Sequence, residues 1–242
     1  MPKTIGILGG MGPDATAAFF QRIIDWTPAR RDQEHIPVIM VSDPRIPDRS
    51  RYLLGRSAES PGPYLVRLAQ LLERSGADLI AIPCNTAHWF WNEIARSVRV
   101  PVLHIVDESL RVVEREFPEA RRLGLLATTA TARCGIYAEP AQVAGYELLL
   151  PSDGEQETLQ AIIDGVKAGD DYGPLRSALE TVIAAMGERG VEVVIYGCTE
   201  LGLLQADPGP VGVVDSNDAL ARAAVEQALL AAAPAQSGAA VP

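Results

Sequence analysis

Three stretches of this 242-residue chain occur twice, in the same order, and that internal repeat restricts the possible folds more than any other feature. IGILGGM at Ile5–Met11 aligns with LGLLATT at Leu123–Thr129. LLERSGADLIAIPC at Leu71–Cys84 aligns with AMGERGVEVVIYGC at Ala185–Cys198. PVLHIVD at Pro101–Asp107 aligns with PVGVVD at Pro210–Asp215, one residue shorter. A chain built this way consists of two similar halves, each beginning with a buried strand. The apolar runs expected as strands are Thr4–Leu8, Pro37–Val41, Asp78–Pro83, Val102–Val106, Leu123–Ala127, Tyr146–Leu150, Val191–Tyr196 and Val211–Val214. Amphipathic stretches such as Pro63–Ser75 and Leu175–Arg189 lie between them. In the first of these, Leu65, Leu68, Ala69 and Leu72 share one face. Strands alternating with helices predict an α/β protein with parallel sheets. Pro13 and Pro174 fall where a first helical turn would start, where a missing N–H costs little.

The repeat also pairs two cysteines. Cys84 lies 78 residues after Gly6, and Cys198 lies 74 after Gly124, so they occupy matching positions. Each is expected at the carboxyl end of a strand, where open α/β sheets bind ligands. If the halves face each other, the thiols enter one cleft from opposite sides. Polar turns follow both, Asn85-Thr86 and Thr199-Glu200. A thiol at a helix N-terminus has its pKa lowered, and the sequence predicts that for both. Cys134 has no counterpart in the repeat and reads as structural, within a helical stretch Thr131–Tyr137.

Other residues carry more than one reading. Gly10-x-Gly12-x-x-Ala15 satisfies the dinucleotide fingerprint, although Asp43, 28 residues past Ala15, is too distant for its usual acidic partner. The same glycines also fit a tight turn that opens backbone N–H groups to a carboxylate. Arg49, in Asp48-Arg49-Ser50, is either a bidentate carboxylate ligand or a solvated loop arginine. Cys84-x-x-x-His88 is half of a zinc site that nothing completes, and His104 reads as a hydrogen-bonded core residue.

Composition excludes other classes. A net charge of −10, with no basic patch, argues against nucleic acid. No stretch is apolar and long enough to span a bilayer, and no signal peptide is legible. Three cysteines are too few for a disulfide framework, which predicts reduced thiols in the cytoplasm. The last residues, AQSGAAVP, read as a disordered tail.

GILGGMGPDAT, IPDRS, GADLIAIPCNTAH, GLLATT and GCTEL together resemble the aspartate/glutamate racemase superfamily, and within it the aspartate racemase branch. Glutamate racemases typically carry histidine where this chain has Glu200. The resemblance implies racemisation of an acidic amino acid, L-aspartate to D-aspartate foremost, without cofactor or metal. It makes Cys84 and Cys198 the catalytic acid/base pair. It lines the site with Met11, Asn85, Thr86, Thr128 and Thr199, and gives the side-chain carboxylate to Arg49. Lys167 matches a family lysine, and Glu200 is a candidate for the substrate ammonium. The implied fold is two similar flavodoxin-like α/β domains, related by a pseudo-twofold axis with the active site in the cleft between them: 1–106 plus 216–242, with a C-terminal helix over Asn217–Ala232 returning to the first, and 107–215. Such proteins are commonly homodimers. Glutamate or broad-specificity racemisation is the alternative on this scaffold. A nicotinamide-dependent dehydrogenase and a non-catalytic amino-acid binder are the alternatives from other classes.

Overall fold

A computed structural model describes residues 2–230. The first half runs β1 (Ile5–Gly9), α1 (Pro13–Trp26), β2 (Val38–Ser42), α2 (Arg49–Leu53), α3 (Gly62–Arg74), β3 (Leu79–Ala81), α4 (Trp91–Ser97) and α5 (Ile105–Glu116). The second runs β4 (Arg122–Ala127), α6 (Thr129–Cys134), α7 (Ala138–Val143), β5 (Glu147–Leu149), α8 (Asp153–Ala168), α9 (Tyr172–Glu188), β6 (Val193–Gly197) and β7 (Gly212–Asp215). Last comes α10 (Ser216–Leu230). The strand orders are β2-β1-β3 and β5-β4-β6-β7, all parallel. Register follows the repeat: Ile5 pairs with Val38 and Leu79, as Leu123 pairs with Leu148 and Val193. The fold is thus the α/β arrangement with parallel sheets that the alternating pattern predicts, in the two flavodoxin-like units that the resemblance implies.

The predicted strand Val102–Val106 does not form. Val102 makes one parallel bridge to Ile80, and α5 starts at Ile105. The Ile80 N–H donates to Pro101 O and the Leu103 N–H to Ile80 O, which begins a fourth strand. The apolar run then continues at helical spacing through Ile105, Val106, Leu110 and Val113, all buried, and the acidic Asp107 and Glu108 suit a first helical turn. Two smaller differences concern cysteines. β3 ends at Ala81, so Cys84 lies three residues beyond its strand, whereas Cys198 directly follows β6. The helix bearing Cys134 stops at Gly135, whose φ of 72° closes it, before Tyr137 is reached. The tail after Pro234 and the end of the predicted C-terminal helix lie outside the described residues.

The repeated glycines show why the halves match. A Cβ on Gly6 would come 2.8 Å from Ala77 Cβ and 3.4 Å from Leu72 Cβ. A Cβ on Gly124 would come 2.9 Å from Met186 Cε and 3.0 Å from Val191 Cγ1, the repeat-equivalent neighbours. In both halves one glycine lets the covering helix and its following turn press onto the first strand.

Three cores result. Leu8, Ile80 and Ile82 pack under α3 and α4, while Val194 and Tyr196 pack under α8 and α9. The third core lies between the sheets and takes Ile5 and Ile7 from one, Leu123, Leu125, Val193 and Ile195 from the other, and α10 with both. On α3, Leu65, Ala69 and Leu72 are buried, Leu68 is half-buried and Arg67 is exposed. Burying each such leucine contributes about 1.5–3 kcal/mol. α10 also reaches α1 through polar contacts: Asn217 Nδ2 donates to Ala15 O at 3.2 Å, and Trp26 Nε1 to Asp218 Oδ1 at 2.9 Å. No described helix is long and apolar enough to cross a membrane.

Candidate active site

The carboxyl ends of the strands meet at a tight cleft with a cavity volume of about 30 Å³. It is lined by Met11, Arg49, Cys84, Asn85, Thr86, Thr128, Lys167, Cys198, Thr199 and Glu200, every site residue singled out from the sequence, together with Asp48, Ser50 and Gly197. Asp48 was not singled out; its side chain caps α2, accepting from the Arg51 N–H. Gly197 and Ser50 carried no chemical signal beyond their neighbours.

From the first half, Met11 is delivered by the turn after β1. Gly10 there has φ of 97°, and a Cβ would collide with the Asp43 backbone. The Gly12 N–H donates to Glu200 Oε1 at 3.3 Å, so the glycine turn faces a carboxylate of the opposite half. Asp43 is engaged by Arg45, through both Nε and Nη2 at 2.9 Å. Arg49 is half-buried. Its Nη1 donates to Ile46 O at 3.3 Å and Pro47 O at 3.2 Å, while its Nε is buried with no partner. A fully solvated loop arginine would not bury an unpaired donor.

Cys84 is buried, and behind it His88 Nδ1 contacts the Cys84 carbonyl at 2.8 Å. That carbonyl can only accept, so Nδ1 carries the proton; the imidazole touches the backbone rather than the sulfur. Burial, reinforced by nearby His104, pulls the His88 pKa down to about 3, so the ring is neutral. His104 is half-buried, 3.1 Å from Asp107 and edge-on to the His88 ring. Among the described residues, no group of three or more His, Cys, Asp or Glu side chains could hold a metal ion.

From the second half, Cys198 Sγ donates to Glu200 Oε2 at 2.9 Å. Thr199 Oγ1 lies 3.3 Å from the same oxygen and 3.4 Å from Pro83 O across the cleft. The expectation of an acidified thiol fails here. Burial first, and the Glu200 charge second, push Cys198 well above the ordinary thiol range, with Lys167 opposing. The predicted cause is missing too: Cys198 leads into a short 3₁₀ turn, Leu201–Leu204, instead of an α-helix. Lys167 occupies the last turn of α8. It is an exposed residue that also lines the cleft. Burial pulls its pKa down, Cys198, Glu200 and Cys84 push it up and prevail, and Arg49 opposes them. It is therefore a firm cation. Thr86 Oγ1 lies 2.7 Å from Thr131 Oγ1 and 3.5 Å from Thr128 Oγ1, so three hydroxyls from the two halves share one buried cluster.

The arrangement is two buried thiols, one from each half, beside two cations and a ring of hydroxyls. The family described as Asp/Glu/hydantoin racemase matches residues 8–224. The chain belongs to this family. It is an amino-acid racemase of the class that works without pyridoxal phosphate. This racemase is 31% identical to the aspartate racemase of Picrophilus torridus, with a TM-score of 0.83, over 93% of this chain and 94% of that one. An aspartate racemase homologue from Pyrococcus horikoshii is 28% identical with a TM-score of 0.75, over 93% and 99%. A broad-specificity amino-acid racemase of Bacillus subtilis is 27% identical, over 91% and 96%. In the racemase, the Gly10–Gly12 turn serves the cleft between the halves, which leaves the dinucleotide reading without support.

Proposed function

We propose that this racemase interconverts L- and D-aspartate through Cys84 and Cys198, with no cofactor. The observation that carries the reading is that two repeat-related thiols line one cleft with Arg49 and Lys167. Inverting a carbon centre requires removing a proton from one face and supplying one to the other. Two fixed groups do this without rearrangement, and they exchange roles in the reverse direction. One thiolate takes the Cα proton onto sulfur and leaves a carbanion; the opposite thiol gives its own proton to the other face and becomes the thiolate. Cys198, held as a thiol by burial and Glu200, starts as the donor. Arg49 takes the side-chain carboxylate on its unpaired Nε. Lys167 and the Thr86 and Thr199 hydroxyls stabilise the charge that spreads onto the α-carboxylate. Glu200 holds the substrate ammonium.

Aspartate is favoured by the Picrophilus relative and by the second cation. Broad specificity is the competing reading, favoured by the Bacillus relative. The same proposal takes 1–106 plus 216–242 and 107–215 as the two domains, which the return of α10 onto α1 supports, and a cytoplasmic homodimer, which light scattering on the purified protein would test.

The test is a chiral assay in heavy water without added cofactor. D-aspartate formed from L-aspartate is expected to carry deuterium at Cα from the first turnovers, while recovered L-aspartate stays largely protiated. Cys84→Ala and Cys198→Ala are each expected to abolish racemisation. Protium in early D-aspartate, or a single variant racemising near the parent rate, would overturn the scheme.

A further inference from the structure

Asn85 adjoins Cys84 and lines the cleft, and its side-chain amide is held by two buried hydrogen bonds. The chain of contacts has a fixed direction. Ser216 Oγ lies 2.6 Å from Tyr196 O, a carbonyl that can only accept, so the single hydroxyl proton of Ser216 goes there. Ser216 Oγ must then accept from Asn85 Nδ2 at 2.9 Å. That orients the amide and turns Oδ1 toward Tyr137, whose hydroxyl donates at 2.6 Å. Tyr137 and Ser216 are wholly inaccessible to solvent, and Asn85 nearly so. Burial raises the Tyr137 pKa, so the phenol keeps its proton. Tyr196 ends two residues before Cys198. The chain therefore joins the backbone beside one cysteine to the side chain beside the other, and three elements supply it: β6, the start of α10 and the N-cap of α7.

We infer that Tyr137 and Ser216 are positioning residues that, through Asn85, set the separation of the two thiols across the substrate. The inference rests on the two-thiol reading and gives that reading a device the repeat alone does not supply. The cysteines come from different halves, and the described hydrogen bonds between their immediate surroundings are few: this chain and the longer Thr199–Pro83 contact at 3.4 Å. Asn85 retains only one uncommitted Nδ2 proton, so its part in the cleft is to hold the Cys84 turn, with little left for substrate.

A two-sided reaction is more sensitive to thiol separation than a one-sided one, and that difference is the test. In 3-chloroaspartate, a single thiolate removes the Cα proton and chloride leaves from Cβ. The resulting enamine is hydrolysed by water to oxaloacetate and ammonium. No proton is delivered to the opposite face. In Tyr137→Phe and Ser216→Ala, each lacking one hydroxyl, kcat for aspartate racemisation should fall about tenfold, the effect of one buried hydrogen bond. Elimination from at least one Cα enantiomer should stay within about threefold of the parent. The double variant should lose little more than the worse single one, because both act through Asn85. Racemisation within about twofold of the parent in both variants, or a parallel loss of racemisation and of both eliminations, would overturn the inference. If the parent protein fails to racemise without cofactor, or Cys84→Ala still racemises, the two-thiol reading fails instead, and the two failures are distinct.

Discussion

At the scale of single residues, the cleft turns on how much charge each buried group can bear. Arg49 is the clearest case, since its unpaired Nε is a donor waiting for an acceptor. A hydrogen bond to a charged group is worth about 1.5–3 kcal/mol, so Arg49→Ala should lower kcat/KM for aspartate roughly 10- to 150-fold. Alanine, which lacks the second carboxylate, should be affected far less; equal losses, measured side by side, would mark the arginine as structural. Glu200 gives a pH prediction. Burial and then the Glu200 charge raise the Cys198 pKa, so Glu200→Gln leaves the first effect and removes the second. In the variant, Cys198 should lose its proton at lower pH than in the parent. Ultraviolet thiolate absorbance, recorded with Cys84 and Cys134 replaced, would follow this directly, and an unchanged or upward titration would refute it. The residues of the cleft could be named from the sequence because the repeat pointed to two cysteines and the motifs did the rest. The charge state of Cys198 could not, because it depends on a carboxylate placed 2.9 Å away by the turn itself.

Among the secondary-structure elements, the strands were legible as apolar runs, and only Val102–Val106 misled. A short buried strand and the start of a buried helix carry the same apolar signal, and in that segment the helical period prevails after one bridge. The paired glycines of β1 and β4 had no visible purpose in the sequence beyond their repetition. In the fold they admit a covering helix, with different tolerance. Ala77 Cβ, which faces Gly6, is fixed to the backbone, whereas Met186 Cε, which faces Gly124, is the end of a flexible side chain. Gly6→Ala should therefore cost about 1–3 kcal/mol, the range for overpacking, and Gly124→Ala less. Denaturant unfolding of both variants would rank them, and the reverse order would mean that Met186 has no room to turn.

For the molecule as a whole, the central core belongs to both halves. Ile5 and Ile7 of one sheet and Leu125 and Ile195 of the other share one core, with α10 packed against strands of both sheets. The resemblance returned the C-terminal helix to the first half, but nothing in the sequence showed that the same helix would also join the core of the second. Its late position matters during synthesis. A ribosome completes β1, β2, β3 and α5 well before it reaches Ser216, and at about 5–20 residues per second the interval is several seconds or longer. Until then, the inner face of the first sheet lacks its final cover, and the nascent chain is a client for any chaperone that recognises apolar surface. A fragment ending at Pro118 should accordingly bind a dye specific for exposed apolar surface and unfold without a cooperative transition, while the full-length protein does neither. A fragment that melts sharply and leaves the dye dark would show that the first half closes before its last helix is made.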